Sequence, residues 1–181
     1  MVPGRLIARF NEDNVPIGGV CLSSFVLVMS KGRILVGKMA KPEVWVERFF
    51  VGEKFAPTYA ASGKYLLPAR HLAMYESPLA AAEGILADQV GLPSLARSLR
   101  PVGVQSHVRG EPGSKDRPAH WDLCFVYEAK AIAKVVDGLR TPPWFEDLHF
   151  VRISSLSVDD FTRGHGDILE EAGLLPKKER S

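Results

Sequence analysis

The stretch LPARHLAMYESPLAAAEGILADQVGL, residues 67–92, carries the clearest local signals in this sequence. Ser77 is a good N-cap, because its hydroxyl can accept a hydrogen bond from an unpaired N–H at a helix start, and Pro78 suits the first helical position. Gly91 suits the left-handed conformation that follows a helix end. The sequence therefore predicts one helix from Ser77 to Val90, which a loop precedes.

Apolar residues recur at helical spacing within this predicted helix. They are Leu79, Ala82, Leu86 and Val90. Such a stripe packs on a core in most amphipathic helices, and we expect it to do so here. The same geometry predicts that Ile85, Asp88 and Gln89 lie together on the face turned away from the stripe.

The order of loop, glutamate, helix and Gly-Leu end resembles the Nudix box, whose family pattern is G-x5-E-x7-R-E-U-x-E-E-x-G-U with U aliphatic. The resemblance places Arg70 at the first glycine and Glu76 at the isolated glutamate. It places Gly84 at the arginine that braces the loop in the family. Gly91 and Leu92 match the end of the pattern.

The three remaining glutamates of the pattern fall on Ile85, Asp88 and Gln89. A Mg²⁺-dependent diphosphate hydrolase needs several hard oxygen ligands, since Mg²⁺ prefers octahedral oxygen coordination. The resemblance implies that Glu76, Asp88 and Gln89 are the metal ligands. With so few carboxylates, we expect Mg²⁺ to bind weakly, differently or not at all.

The resemblance also implies catalytic and ligand-binding residues. Glu76 and Asp88 are the predicted catalytic residues of the box, and an acid elsewhere, Glu146 or Asp147, is the predicted base. In the family the box loop lies close to phosphate, so Arg70 and His71 are predicted to bind a ligand. An arginine guanidinium can hold a phosphate through two hydrogen bonds.

Two further residues complete the predicted ligand-binding set. Tyr65 lies in the short strand that enters the box. His120 lies two residues from Asp122 on a predicted strand, so that both side chains can point to one face. The pair is either a proton-transfer or metal pair, or a polar patch on the surface.

Aromatic residues crowd the connection from Pro42 to Gly63. They are Trp45, Phe49, Phe50, Phe55 and Tyr59. Aromatic faces can stack nucleotide bases, but such rings are more often buried in a core. Both interpretations stay open from the sequence.

Two other segments also allow two interpretations. The loop 109–118 carries Arg109, Lys115 and Arg117, which contact phosphates or form a solvated hairpin tip. His165 lies between two glycines and either faces a site or simply precedes a short helix. In the second case Asp167 and Glu170 have the spacing of a capping box.

The strand pattern supports the fold that the resemblance implies. Apolar, β-branched runs predict a hairpin of 18–29 and 33–38 around Gly32, a second hairpin of 102–108 and 119–129, and a last strand at 148–153. The predicted fold class is α/β (α+β): a Nudix-like α/β/α sandwich with a mixed curved sheet. We expect one domain over residues 1–181, with a core at about 18–156, a strand within 1–15 and a helix and tail within 157–181.

Composition limits the setting and the partners. The 23 Lys and Arg balance 21 Asp and Glu, which argues against a strongly basic nucleic-acid surface. Two cysteines without metal-site spacing favour a reducing compartment, and neither a signal peptide nor a membrane span is evident. We therefore expect a cytoplasmic protein. The scarcity of Asn and Gln is typical of thermophilic proteins.

Three functions are consistent with these features. The first is a degenerate Nudix protein that binds a nucleotide or another phosphate-bearing ligand, with weak or absent standard hydrolase activity. The second is an atypical Mg²⁺-dependent hydrolase of nucleoside-diphosphate-linked compounds. The third is a protein-interaction scaffold or subunit, acting as a homo-oligomer or with a protein partner through the exposed face of the box helix.

Overall fold

The structure is a computed structural model that describes residue 15 and residues 18–111 and 119–177. Its strands are β1 (Val20–Ser30), β2 (Arg33–Met39), β3 (Tyr65–Leu66), β4 (Ala69–His71), β5 (Arg100–Arg109), β6 (His120–Lys130) and β7 (Phe145–Arg152). Its α-helices are α1 (Pro42–Phe49), α2 (Ala56–Ala61), α3 (Pro78–Gly84), α4 (Ala133–Asp137) and α5 (His165–Glu171). The predicted strand within 1–15 and the tail cations after Lys177 lie outside the described residues.

The strands form one mixed sheet with the order β3-β2-β1-β6-β5, while β4 also pairs with β1 and β7 with β2. The central pair β1 and β6 is parallel, and the other pairs are antiparallel. The two predicted hairpins are both present. The turn of the first uses left-handed backbone at Lys31 (φ 46°) and Gly32 (φ 73°), as the glycine predicts.

Helices cover both faces of the sheet, because alternate residues of β1 point to opposite sides. Val26 and Val28 pack on the first face against α1, α2 and α3. Phe25 and Leu27 pack on the second face against α5. Ile168 and Leu169 of α5 are almost fully buried, so the core extends beyond the expected limit at residue 156. The predicted α/β/α sandwich with a mixed sheet is confirmed.

The aromatic connection folds into α1 and α2, which the sequence did not predict. Trp45 and Phe49 are buried in the core of the first face. The indole Nε1 of Trp45 donates to the Trp144 carbonyl oxygen at 2.7 Å, so the polar group of this buried ring is satisfied. These two rings pack in the core and are not available to stack a base.

The box helix is present, with an irregular second half. Ser77 Oγ accepts a hydrogen bond from Ala80 N at 3.1 Å, and Gly91 has a φ of 71°, as their residue types predict. Regular α-helix ends at Gly84, and Ile85–Gln89 form a π-helical turn. None of the helices in the described part of the chain is long and apolar enough to span a membrane.

The predicted faces of this helix are partly wrong. Leu79 is 47% exposed, whereas Ile85 and Gln89 are fully buried beside Leu86. Ile85 and Gln89 follow the buried Ala82 by three and seven residues, so helical spacing places them on the same buried face as Ala82 and Leu86. Ile85 is also apolar, and its burial stabilises the fold as a core residue.

Candidate functional site

Gln89 joins the box helix to β4 and is not placed as a metal ligand. Its Oε1 accepts a hydrogen bond from Ala69 N at 3.0 Å, and its Nε2 donates to Ala69 O at 2.9 Å. An amide satisfies this donor and acceptor together, whereas a carboxylate could only accept. The prediction that Gln89 binds a metal is wrong in this structure, because both of its polar groups are engaged with the backbone.

Glu76 and Arg70 hold the box loop through an ion pair. Arg70 Nη2 contacts Glu76 Oε1, and Glu76 Oε2 accepts a hydrogen bond from Ala73 N at 3.1 Å. A Cβ atom added at Gly84 would lie 2.7 Å from Arg70 Nη2. The guanidinium of Arg70 therefore fills the space that a side chain at position 84 would enter. Here the loop is braced from β4 instead of from the helix.

The other predicted catalytic acids do not join Glu76. Asp88 is exposed on the helix and Glu146 is exposed on β7. Asp147 Oδ2 lies 2.8 Å from His149 Nδ1 on the same strand. Within the described ranges, no group of three or more His, Cys, Asp or Glu side chains is arranged to hold a metal. With Ile85 apolar and Glu76 paired, these box residues do not fit a Mg²⁺ site.

Three of the predicted ligand-binding residues line one cavity on the second face of the sheet. Arg70 and His71 of β4 and His120 of β6 are brought together there. The cavity has a volume of about 40 Å³, which limits it to a small group. Its lining also includes Ser23, Asp122, Arg109, Arg163 and His165.

A hydrogen-bonded chain of four side chains runs along this cavity. Arg163 Nη2 lies 3.3 Å from His71 Nε2, His71 Nδ1 lies 3.2 Å from Ser23 Oγ, and Ser23 Oγ donates to Asp122 Oδ1 at 3.1 Å.

The chemistry of arginine fixes the direction of this chain. A guanidinium can only donate, so Nε2 of His71 accepts the Arg163 hydrogen bond and Nδ1 carries the proton. Nδ1–H then donates to Ser23 Oγ, and the Ser23 hydroxyl donates to the Asp122 carboxylate. The geometry therefore assigns the Nδ1–H tautomer to His71.

Arg109 is fixed at the cavity by the start of α5. Its Nη1 donates to Asp167 Oδ2 at 2.6 Å and its Nη2 to the Gly164 carbonyl oxygen at 3.1 Å. Gly164 has a φ of 70° and provides no side-chain cap for α5. The predicted capping box of Asp167 and Glu170 is therefore wrong, because Asp167 pairs with Arg109 of β5.

His165 faces the site, which is one of the two interpretations that the sequence left open. It is buried, and its Nδ1 accepts a hydrogen bond from Leu67 N at 3.0 Å. Its ring meets Phe25 edge-on, with centroids 5.0 Å apart. The histidine thus fixes the strand end that enters the box loop while it lines the cavity.

Two buried arginine donors lack an acceptor among the described residues, Arg70 Nε beside the box helix and Arg109 Nε at the cavity. A buried N–H without an acceptor costs about 1–3 kcal/mol. An acceptor group bound in the cavity beside Arg109 would offset this cost.

Tyr65 is not part of the cavity lining. Its ring contacts those of Phe161 and His149, with centroids 6.1 and 5.8 Å away. From the aromatic connection it is Tyr59 that lines the cavity, and the Arg163 guanidinium lies 5.4 Å from its ring centre. The loop cations Lys115 and Arg117 lie outside the described residues.

The sequence did not point to Ser23 or Arg163, and it left Asp122 open between a functional pair with His120 and a polar patch on the surface. Ser23 is a small polar residue inside an apolar run, which is the one local signal that it carries. Arg163 carries none, because its role depends on contacts with residues about 90 positions away.

Cys124, beside Asp122, stays a thiol, because burial raises the pKa of its side chain well above the ordinary value.

No protein-family model and no curated protein matches the sequence. The fold is similar to that of a mutT/nudix family protein from Listeria innocua, at 17% identity and a TM-score of 0.55, over 84% of this chain and 91% of that chain. It is also similar to RenU, a Nudix hydrolase from M. smegmatis, at 16% identity and a TM-score of 0.50, over 94% and 92% of the two chains. These likenesses show a Nudix-like fold, which confirms the resemblance at the level of the fold.

Proposed function

We propose that this Nudix-fold chain binds a nucleotide or another phosphate-bearing ligand in the cavity of the second face, with weak or absent standard hydrolase activity. The main support is the lining, which includes Arg109 and Arg163. Guanidinium groups bind phosphate through charge-assisted hydrogen bonds. Among the described residues, Arg109 Nε has no acceptor and adds a site for a phosphate oxygen.

The size of the cavity indicates which part of a ligand it holds. At about 40 Å³ it suits one phosphate group, and a nucleoside would extend outside it. The ligand class is therefore a molecule with a terminal phosphate.

The weak-hydrolysis part of the proposal is supported by the box itself. The carboxylate of Glu76 is paired with Arg70, and the amide of Gln89 is paired with Ala69. Both are thereby removed from the oxygen set that Mg²⁺ requires. Asp88 is the one exposed carboxylate at the positions where the family pattern has glutamate on the box helix.

Calorimetric titration tests the binding. Orthophosphate, nucleoside mono- and diphosphates and nucleoside diphosphate sugars are titrated into the protein with EDTA and again with Mg²⁺. We expect saturable binding of phosphate-bearing compounds in both buffers. Arg163→Gln should weaken it at least about tenfold, because one charge-assisted contact is worth about 1.5–3 kcal/mol.

Arg100→Gln is the matched control, because it removes the same charge from a side chain that is 60% exposed and outside the cavity. Equal weakening by both variants would point to general charge attraction and contradict the proposal. Phosphate or pyrophosphate release is followed in the same samples. Turnover that requires Mg²⁺ and disappears in Glu76→Gln would overturn the weak-hydrolysis part and favour the atypical hydrolase.

A further inference from the structure

An apolar surface remains on the first face of the sheet, beyond the start of the box helix. We call it the open face, and it consists of Val20 and Leu22 of β1, Val104 and Val108 of β5, and Trp121 of β6. Val108 is 68% exposed, Val104 61% and Trp121 55%. Exposed apolar residues of this size seldom cluster on the surface of a monomer.

Strand register makes the open face continuous. Val108 lies opposite Trp121, and Trp121 lies beside Val20. The next row across the same strands is Ser106, Leu123 and Leu22. Neither row contains a charged side chain, and the box loop extends the surface with Met74 and Tyr75, which are 44% and 85% exposed.

The position of α3 explains why this half of the sheet is uncovered. Ser24 Oγ donates to the Pro78 carbonyl oxygen at 2.8 Å, so the helix begins directly over Ser24. From there it covers Val26 and Val28 on the same side of β1. Val20 and Leu22 precede its start, and none of the described helices covers them.

We propose that the open face is the contact surface of a two-fold symmetric dimer of this chain, independent of any ligand in the cavity. The area supports a stable partner. Aromatic side chains present about 150–250 Å² each. Trp121 and Tyr75 together with five partly exposed aliphatic or Met side chains approach the roughly 800 Å² per partner of a standard interface. The five are Val20, Leu22, Met74, Val104 and Val108.

The chemistry of the open face favours a second copy as the occupant. Interface cores are depleted in charge and enriched in aromatic residues and Met, as this surface is. An uncharged face is complementary to itself, and a two-fold axis places the same patch on both sides of the contact. The net charge of +2 gives little repulsion between two copies.

Light scattering after size exclusion, at micromolar protein, tests the dimer. The wild type should have about twice the chain mass of 19.9 kDa. Val108→Lys and Trp121→Lys should each shift the protein to the monomer mass, because each buries a charge in the contact. Both positions are more than half exposed in one chain, so a folded monomer tolerates the lysine.

Ile132→Lys is the matched control, because Ile132 is 68% exposed, as Val108 is, but lies outside the open face. It should leave the dimer intact. A monomeric wild type would overturn the proposal, and so would a dimer that persists in both lysine variants. Hydrogen exchange separates folding from association: in Val108→Lys, protection should fall at residues 20–22 and 104–108 and stay unchanged at β2.

Discussion

The two faces of the sheet at β1 and β6 carry opposite chemistry, although adjacent residues supply them. Ser23 and Asp122 point to the cavity and hold each other by a hydrogen bond of 3.1 Å. Their neighbours Leu22 and Trp121 point to the open face and are 40% and 55% exposed. Period-two alternation thus lets the same strands build a polar site on one side and an apolar contact surface on the other.

The difference predicts how substitutions act. Side chains on the cavity side and its supports are fixed by directed hydrogen bonds, so their loss should lower the free energy of unfolding. Side chains of the open face make few contacts within one chain, so their substitution should change association much more than folding. Four experiments test side chains that are fixed by directed contacts within the chain.

Gln89→Leu should have the largest effect. It leaves the N–H and the carbonyl of the buried Ala69 unpaired, and each such group costs about 1–3 kcal/mol. We expect the free energy of unfolding, measured by urea denaturation, to fall by about 3 kcal/mol. Ala87→Leu, at an exposed position of the same turn, should change it by less than about 0.5 kcal/mol. Equal losses in the two variants would mean that Gln89 does not support β4 through its amide.

A double-mutant cycle tests whether an arginine at position 70 or at position 84 can hold the box loop. Gly84→Arg forces a second guanidinium against Arg70, and Arg70→Gly leaves Glu76 without its ion pair. Each single variant should lose about 2 kcal/mol of stability. In Arg70→Gly/Gly84→Arg the helix again carries the arginine, and the loss should be smaller than the sum by more than about 1 kcal/mol. If the stability losses of the two single variants simply add in the double variant, an arginine at position 84 cannot replace Arg70 in holding the box loop.

Ser23→Ala interrupts the hydrogen-bonded chain at its middle. The hydroxyl links His71 to Asp122, and its loss should cost about 1–2 kcal/mol. Ser24→Ala is the control, because Ser24 bonds the Pro78 carbonyl on the other face. Both variants should lose stability, but only Ser23→Ala should change the nitrogen NMR shifts that report the His71 tautomer. Unchanged His71 shifts in Ser23→Ala would contradict the assigned direction of the chain.

His107 should give the smallest effect, a pH dependence of stability. Burial, followed by the charge of Arg109, lowers the pKa of His107 from its ordinary 6.5. The unfolded chain therefore binds a proton that the folded chain resists, so this contribution is complete above about pH 6.5 and declines as the pH falls towards the folded pKa. His107→Gln should reduce the drop in melting temperature between about pH 7.5 and about pH 5.5. If the melting temperature falls equally in the wild type and in His107→Gln, other titratable groups cause the pH dependence.

Much of the fold follows from local signals in the sequence. Ser77 and Gly91 mark the ends of the box helix through backbone chemistry that depends on few neighbours. Alternation and turn residues likewise predict β1, β2, β5 and β6. Helices α1 and α2 were not predicted, although Trp45 and Phe49 have i, i+4 spacing, because the helices are only eight and six residues long. Their burial depends on packing with Trp144 and Phe145.

The site was less predictable because tertiary contacts define it. Arg70 and His71 were predicted from the resemblance and His120 from its spacing to Asp122, and all three are among the residues that line the cavity. The metal grouping failed at Gln89, because helical spacing places this residue with Ala82 and Leu86 on the buried face of the box helix. Arg163 and Ser23 lie 140 residues apart, and only the folded chain joins them through His71.

The four-residue chain also gives the cavity a sense of direction. All of its hydrogen bonds point the same way, from the Arg163 guanidinium to the Asp122 carboxylate. One end is electron-poor and the other electron-rich, so the cavity wall has a built-in dipole. A bound ligand with a dipole of its own would therefore be favoured in one orientation. A flip of the His71 ring would not change this polarity. The Arg163 guanidinium would still be the donor end, since it cannot accept, and the Asp122 carboxylate would still be the acceptor end, since it cannot donate.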